Sequence, residues 1–133
     1  MAKMLTQGAT NLLDVYLGGA VRGDLYLGLY TDATEPAKTA TLTTVSELPE
    51  GVKGYNRIVL ADGDWTIAAG LATNLQKIFT AAGGDWGNVY GYFICDVITG
   101  TTGNLLFVQT FSDGPYAVAD AETVKVTPSI LAA

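Results

Sequence analysis

The sequence contains no histidine and a single cysteine, Cys95. Without histidine the chain cannot form a histidine-based catalytic triad, a Cys-His pair or a histidine-ligated metal site. One cysteine also leaves no partner for an intrachain disulfide. Cys95 follows Tyr92, Phe93 and Ile94 with no base beside it, a setting typical of a buried and unreactive thiol.

Charge of either sign is scarce. Lys and Arg number 7 against 13 Asp and Glu, which gives a net charge of −6, and charged residues make up only 15% of the chain. An acidic chain with scattered Lys and Arg lacks the basic patch that binds phosphate backbones, so we expect no nucleic-acid partner. No apolar run approaches the roughly 20 residues that span a bilayer, and residues 1–6 do not resemble a signal peptide. We therefore expect no membrane partner.

The remaining chemical candidates are weak. Asp62 and Asp64 could approach a hard cation, but a calcium site needs more oxygen ligands at set spacings. Asp120 and Glu122 are most simply solvated charges at the start of a strand. Residues 100–103, Gly-Thr-Thr-Gly, lack the lysine and the following helix of a phosphate-binding loop. We predict no catalytic, cofactor-binding or metal-binding residues, no cofactor, and no enzymatic activity.

Residues 88–112 carry the clearest structural pattern. Two apolar runs rich in β-branched and aromatic residues, 89–97 and 105–111, flank a Gly/Thr-rich break, which predicts a long β-hairpin. The predicted faces carry Val89, Phe93, Cys95 and Phe107 on one side and Tyr90, Tyr92, Ile94, Leu106 and Val108 on the other. A strand exposed on one side should alternate with polar residues. We therefore expect the second face to be covered, either by a helix of the chain or by another copy.

Residues 6–18 are the best helix candidate. Apolar residues recur at helical spacing, and Thr6 is in position to cap the start. The stripe consists of Ala9, Leu12, Leu13, Tyr16 and Leu17. Either the helix covers the domain's own core or it docks onto a partner.

Residues 32–54 have a different composition. Prolines and threonines at this density suit a long irregular excursion. A loop of this length in a compact domain is usually functional or mobile. We predict an extended loop or arm that contacts a neighbour; the alternative is a disordered surface loop.

The whole chain, residues 1–133, is predicted to form a single domain. About seven short strands with frequent turns, one early helix and no βαβ rhythm predict an antiparallel β-sandwich or jelly-roll-like fold. Residues 55–131 form its main β-sheet region. Pro128 lies in the last predicted strand, residues 122–130, so that strand should end near an edge.

Six residues are predicted to contact other subunits, because aromatic side chains are favoured at interfaces and the long loop is predicted to reach outward. These candidates are Tyr26, Tyr30, Pro36, Leu48, Tyr90 and Tyr92.

The order of the segments resembles a family of small tailed-phage virion proteins. The similarity covers most of the chain: an N-terminal helix, a LYLGLYTD strand at residues 25–32, a Thr/Pro loop, the Gly-Tyr-Asn-Arg-Ile segment at 54–58, and a strand at Trp65. The VYGYFICD segment at 89–96, a glycine-containing turn, Leu-Leu-Phe at 105–107 and the Val-Lys-Val-Thr-Pro strand at 124–128 complete it.

The resemblance implies a non-enzymatic capsid decoration or cement subunit. Such a protein would be made in the host cytoplasm, would form a homotrimer on the capsid surface, and would stabilise the head by bridging major capsid protein subunits. An alternative within the virion is a tail, neck or fibre-attachment component. An alternative of another class is a carbohydrate-binding β-sandwich module that uses Trp65, Trp86 and the tyrosines.

Overall fold

The structure, a computed structural model, describes residues 2–132. It is mainly β, with one α-helix and several antiparallel sheets, as the sequence predicted. Asp62–Asp64 form a single 3-10 turn. The helix and strands are β1 (Lys3–Met4), α1 (Thr6–Tyr16), β2 (Leu25–Tyr30), β3 (Ile58–Leu60), β4 (Thr66–Ala68), β5 (Leu71–Thr73), β6 (Lys77–Thr80), β7 (Gly87–Val89), β8 (Gly91–Cys95), β9 (Leu105–Thr110), β10 (Tyr116–Val118), β11 (Thr123–Val126) and β12 (Ser129–Leu131).

A five-stranded antiparallel sheet, in the order β1-β9-β8-β2-β3, forms the centre. The predicted hairpin is confirmed, because β8 and β9 pair along their length. β1 and β2 join the same sheet, so it draws on the chain before residue 55 as well as after it.

A β-bulge changes the predicted faces of this hairpin. Ile94 is opposite Phe107 and Cys95 is opposite Leu105, which leaves Leu106 as the extra residue. Directly opposed residues share a face, so Phe107 packs with Ile94, and Val108 packs with Phe93. The prediction had these two β9 residues exchanged. Val89 and Tyr90 are exchanged as well, since the chain leaves β7 and enters β8 between them and Tyr92.

Smaller sheets cover one face of the central sheet. β10 pairs with β7, β11 with β6, and β12-β5-β4 form a three-stranded sheet. Together they enclose the larger hydrophobic core in a sandwich-like arrangement. The central sheet contributes Leu27, Leu29, Leu60, Tyr92 and Ile94 to this core, and the smaller sheets contribute Phe79, Val89, Val118, Val124 and Val126.

The opposite face is covered by the chain itself. Leu42 and Val45, from the segment predicted to be an arm, are buried there together with Leu5 and Phe93. Residues 32–54 therefore fold back onto the domain as an irregular, packed loop. The expected cover was the helix or a second copy. The loop provides Leu42 and Val45, and Leu5 and the first turns of α1 lie against β9.

Pro128 divides the last predicted strand in two. β11 pairs with β6 and β12 pairs with β5, so the two halves belong to different sheets. Proline has no backbone N–H to continue a ladder. Its carbonyl still accepts a hydrogen bond from the Asn74 N–H at 2.9 Å. β12 lies at the edge of its sheet, as predicted.

Within residues 2–132, no helix has the length and apolar character needed to cross a bilayer.

Candidate interaction surface

The start of α1 is held against the bulge in β9. Leu5 is fully buried, and its N–H donates to the Leu106 carbonyl at 2.9 Å. Gly8 is the buried residue of the helix, and a Cβ there would overlap the same carbonyl. Thr6 does not cap the helix as predicted. Leu5 occupies the N-cap position without a side-chain cap, and the Thr6 N–H donates to the Lys38 carbonyl at 3.0 Å.

The apolar stripe of α1 points into solvent. Leu12 and Leu13 are 52% and 57% exposed, and Tyr16 and Leu17 are 83% and 74% exposed. The helix thus has the predicted amphipathic pattern, but only its first turns cover the domain's own core. The rest of the stripe is free to contact something outside the described chain.

An apolar groove runs beside this stripe. It lies between α1 and the three-stranded sheet and has a volume of about 430 Å³. Leu12 and Val15 form its helical wall, and Trp65, Ile67 and Ile130 lie on the sheet side. We call the exposed residues Leu12, Leu13, Tyr16 and Leu17 together with this groove the α1 face.

The charges at the α1 face neutralise each other. Arg22 forms an ion pair with Asp62 at 2.5 Å at the margin of the groove, and both side chains are well exposed. Asp64, the other member of the predicted cation pair, binds Lys77 at 2.9 Å. Asp62 and Asp64 therefore bind different cationic side chains and do not converge on a common point. Residues 2–132 contain no group of three or more side chains suited to hold a metal ion.

The second carboxylate pair stabilises turns. Asp120 accepts a hydrogen bond from the Gly83 N–H at 2.9 Å, and Glu122 accepts one from the Ala119 N–H at 2.8 Å. Both carboxylates act on backbone groups that a turn leaves without a ladder partner.

The six predicted interface residues are mostly interior. Tyr30, Leu48, Tyr92 and Pro36 are buried inside the chain's own fold, where they contribute to its packing. Burial raises the pKa of the Tyr30 and Tyr92 hydroxyls. Tyr26 and Tyr90 are half-buried. Contact of any of the six with another subunit stays a prediction.

The two tryptophans lie in separate places. Trp65 contributes to the groove, whereas Trp86 packs edge-on against Tyr55 and donates its indole N–H to the Lys53 carbonyl at 2.8 Å. They do not form a shared aromatic platform for a sugar.

A buried ion pair links the long loop, residues 32–54, to the rest of the domain. The Arg57 side chain is 1% exposed and binds Glu47 through two hydrogen bonds, Nε–Oε2 at 2.9 Å and Nη2–Oε1 at 2.7 Å. Arg57 also donates to the Val97 and Gly100 carbonyls at 3.0 and 2.9 Å. Glu50 Oε1 lies 3.1 Å from Nε as a further ionic contact. The guanidinium thereby joins the loop to the turn of the hairpin.

The protonation states in this network are fixed by their surroundings. Burial alone would lower the pKa of Arg57, but the hydrogen bonds and charge of Glu47 outweigh it and the pKa is raised. Burial first, and then the Glu47 carboxylate, raise the pKa of Tyr55, whose hydroxyl donates to Glu47 at 2.5 Å. The same hydroxyl accepts from the Leu29 N–H at 2.9 Å. Tyr55 and Arg57 lie in the 54–58 segment, but the sequence pattern did not reveal Glu47 as their partner.

Cys95 is buried beside this network, as predicted. Burial raises the pKa of its thiol to about 11, against a smaller opposing effect of Arg57. The thiol donates to the Val97 carbonyl at 3.3 Å. It is therefore protonated at neutral pH and is a poor nucleophile.

Comparison with known proteins relates the chain to a protein family. A family model described as "Podophage GP4 fiber I protein gp80" matches residues 3–131. No curated protein matches the chain. The family match covers the central sheet, the smaller sheets, the long loop and α1.

Proposed function

The chain belongs to the podophage GP4 fiber I protein gp80 family and is a structural protein of the tailed-phage virion, and from this premise we propose that it is a non-enzymatic component of the fibre apparatus. The family's description favours the tail or fibre alternative over the capsid decoration role that the sequence resemblance placed first. The partners that we propose are accordingly other fibre or tail proteins, and copies of the same chain, in place of the major capsid protein.

The observation that carries this proposal, beside the family match, is the α1 face. A structural subunit acts by burying surface against its neighbours, and large exposed apolar patches mark such contacts. Leu13, Tyr16 and Leu17 are more than half exposed, and Leu12 of the same stripe lines an apolar groove.

A non-enzymatic role is supported by how the candidate side chains are used. Asp62 and Asp64 form ion pairs with Arg22 and Lys77, and the thiol of Cys95 is buried and protonated. The groups that the sequence offered for chemistry are thus engaged in structural contacts.

Immunogold electron microscopy of whole phage particles tests the location. Antibodies raised against the purified chain should place gold on the fibres or tail. Label distributed over the capsid surface would instead support a decoration protein, and particles that carry the chain nowhere would refute a virion role. Antibodies against the major capsid protein provide the control for labelling of the head.

A further inference from the structure

A polar hollow lies where the end of β9 meets the junction of β11 and β12. Because Pro128 has no backbone N–H to continue a ladder, the chain pairs with β6 as far as Val126 and with β5 from Ser129 onward. Tyr92 and Gln109 are direct partners in β8 and β9, so their side chains share one face, and both line the hollow beside this break. The hollow has a volume of about 220 Å³ and shares no lining residue with the groove of the α1 face.

The lining offers hydrogen-bonding groups that the fold leaves unused. Gln109 Oε1 is buried and has no donor among residues 2–132. Buried polar atoms are nearly always paired, and one left unpaired lowers stability, so a ligand hydroxyl that reached Oε1 would supply a hydrogen bond that the fold does not make. Ser112 and Thr127 are exposed residues of the same lining, and their hydroxyls can both donate and accept.

An aromatic side chain gives the hollow one apolar wall. Phe111 is half-buried and lines the hollow. Its ring packs against the rings of Tyr92 and Tyr116, with centroids 6.2 and 4.8 Å apart, and these contacts hold it in place. A sugar ring needs both kinds of wall, because its C–H groups are apolar while its hydroxyls require donors and acceptors at set positions.

The charges of the hollow favour a neutral ligand. Lys125 and Asp113 are exposed and both line it, one of each sign. Asp113 accepts a hydrogen bond from the Tyr116 hydroxyl, and among residues 2–132 no carboxylate forms an ion pair with Lys125. The carboxylate can accept from a ligand hydroxyl and the ammonium can donate to one. An anion would be repelled by Asp113 and by the net charge of −6 on the chain, and a cation would be repelled by Lys125.

We propose that this hollow binds a neutral sugar, as one hexose unit of a glycan. Its volume is smaller than the roughly 300–1,000 Å³ of sites for drug-sized ligands, which suits a single sugar ring. The site does not involve Trp65 or Trp86, the two residues that the sequence offered for this chemistry. The proposal does not depend on whether the protein lies in the tail or the head.

Nuclear magnetic resonance of the isotope-labelled full chain, titrated separately with the methyl glycosides of glucose, galactose and mannose, tests the proposal. Glucuronate serves as the anionic comparison. The disrupting variants are Asp113→Asn and Lys125→Gln, made separately, because each removes a charge with little change in size. The matched controls are Asp24→Asn and Lys38→Gln, exposed residues outside the hollow. The dispersion of amide signals establishes that each variant is folded.

We expect at least one of the three hexosides to shift the amide signals of residues 109–113 and 125–129, with saturation. Asp113→Asn and Lys125→Gln should each weaken this binding at least about fivefold, since hydrogen bonds to charged groups are stronger than neutral ones, and the two controls should leave it unchanged. The absence of a saturable shift with all three hexosides would overturn the proposal. Shifts confined to other parts of the chain, equally tight binding by both disrupting variants, or tighter binding of glucuronate than of the hexosides would overturn it too.

Discussion

Replacement of Arg57 by methionine should destabilise the protein more than any other single loss of charge. The guanidinium is 1% exposed and binds Glu47 through two of its nitrogens, and it also donates to the backbone at Val97 and Gly100. Methionine fills a similar space but donates nothing. The substitution would leave the Glu47 carboxylate, 14% exposed, without its compensating charge.

The magnitude follows from this burial. Removal of one partner from a buried ion pair costs about 3–5 kcal/mol, because the remaining charge stays desolvated. An exposed pair contributes only about 0–1 kcal/mol, and Arg22 with Asp62, at 41% and 67% side-chain exposure, is such a pair. Domains of this size are stable by about 5–15 kcal/mol in total. The loss of Arg57 should therefore remove a large share of the free energy of unfolding.

Urea unfolding followed by tryptophan fluorescence, at one fixed chain concentration, measures the effect. Arg57→Met should lower the free energy of unfolding by about 3–5 kcal/mol, whereas the matched control Arg22→Met should lower it by less than about 1 kcal/mol. Arg57→Lys should fall between them, since lysine retains the charge but loses the two-pronged contact. If Arg57→Met and Arg22→Met lowered the free energy of unfolding by the same small amount, the buried network would not be a major source of stability.

Three further predictions concern the loop, the helix contact and the thiol. Leu42→Ala should lower the free energy of unfolding by about 2–5 kcal/mol because it leaves a cavity, while Val52→Ala, at 47% exposure, should change it by less than about 0.5 kcal/mol; equal effects in urea unfolding would mean that the loop is not packed. Gly8→Ala should cost about 1–3 kcal/mol through overpacking against β9, and Gly23→Ala, where a Cβ has open space, should be neutral by thermal melting; a harmless Gly8→Ala would contradict the close contact. The pKa of Cys95 in the folded protein, about 11, is raised above its ordinary value of 9.0, so the thiol's contribution to stability is complete below about pH 9 and is lost as the pH rises through about 11. Over this range the free energy of unfolding of Cys95→Ala should fall less than that of the wild type. An equal fall in both proteins would refute this assignment.

The sequence predicted the central hairpin because its evidence is local. Alternating β-branched and aromatic residues around a glycine-rich turn specify two paired strands. The faces of β9 were harder, since one extra residue at Leu106 reverses every side chain after it. A bulge of this kind depends on the partner strand and on Leu5, immediately before α1, whose N–H donates to the Leu106 carbonyl. The alternation of residues along β9 therefore does not predict the bulge.

For the helix and the loop, too, the local sequence predicted the element but not the neighbour against which it packs. The spacing of Leu12, Leu13 and Tyr16 predicted an amphipathic helix in the right place, but periodicity does not say which neighbour covers the apolar side. The loop's prolines and threonines predicted irregular structure, which it has. Two of its few apolar residues, Leu42 and Val45, were the signal that it would fold back into a core.

The sequence predicted only part of the candidate interaction surface. The sequence proposed α1 as a docking helix among two alternatives, whereas it placed the named interface residues mainly on tyrosines. Tyr30 and Tyr92 prove to be interior, because their hydroxyls find partners in Thr110 and in the backbone of Ser129. A tyrosine that can satisfy its hydroxyl internally loses the reason to remain at the surface.

A cryo-electron microscopy reconstruction of the intact phage particle would show where in the virion this protein lies. We predict density for the chain in the fibre or tail. Density for the chain on the capsid surface would contradict the proposed location.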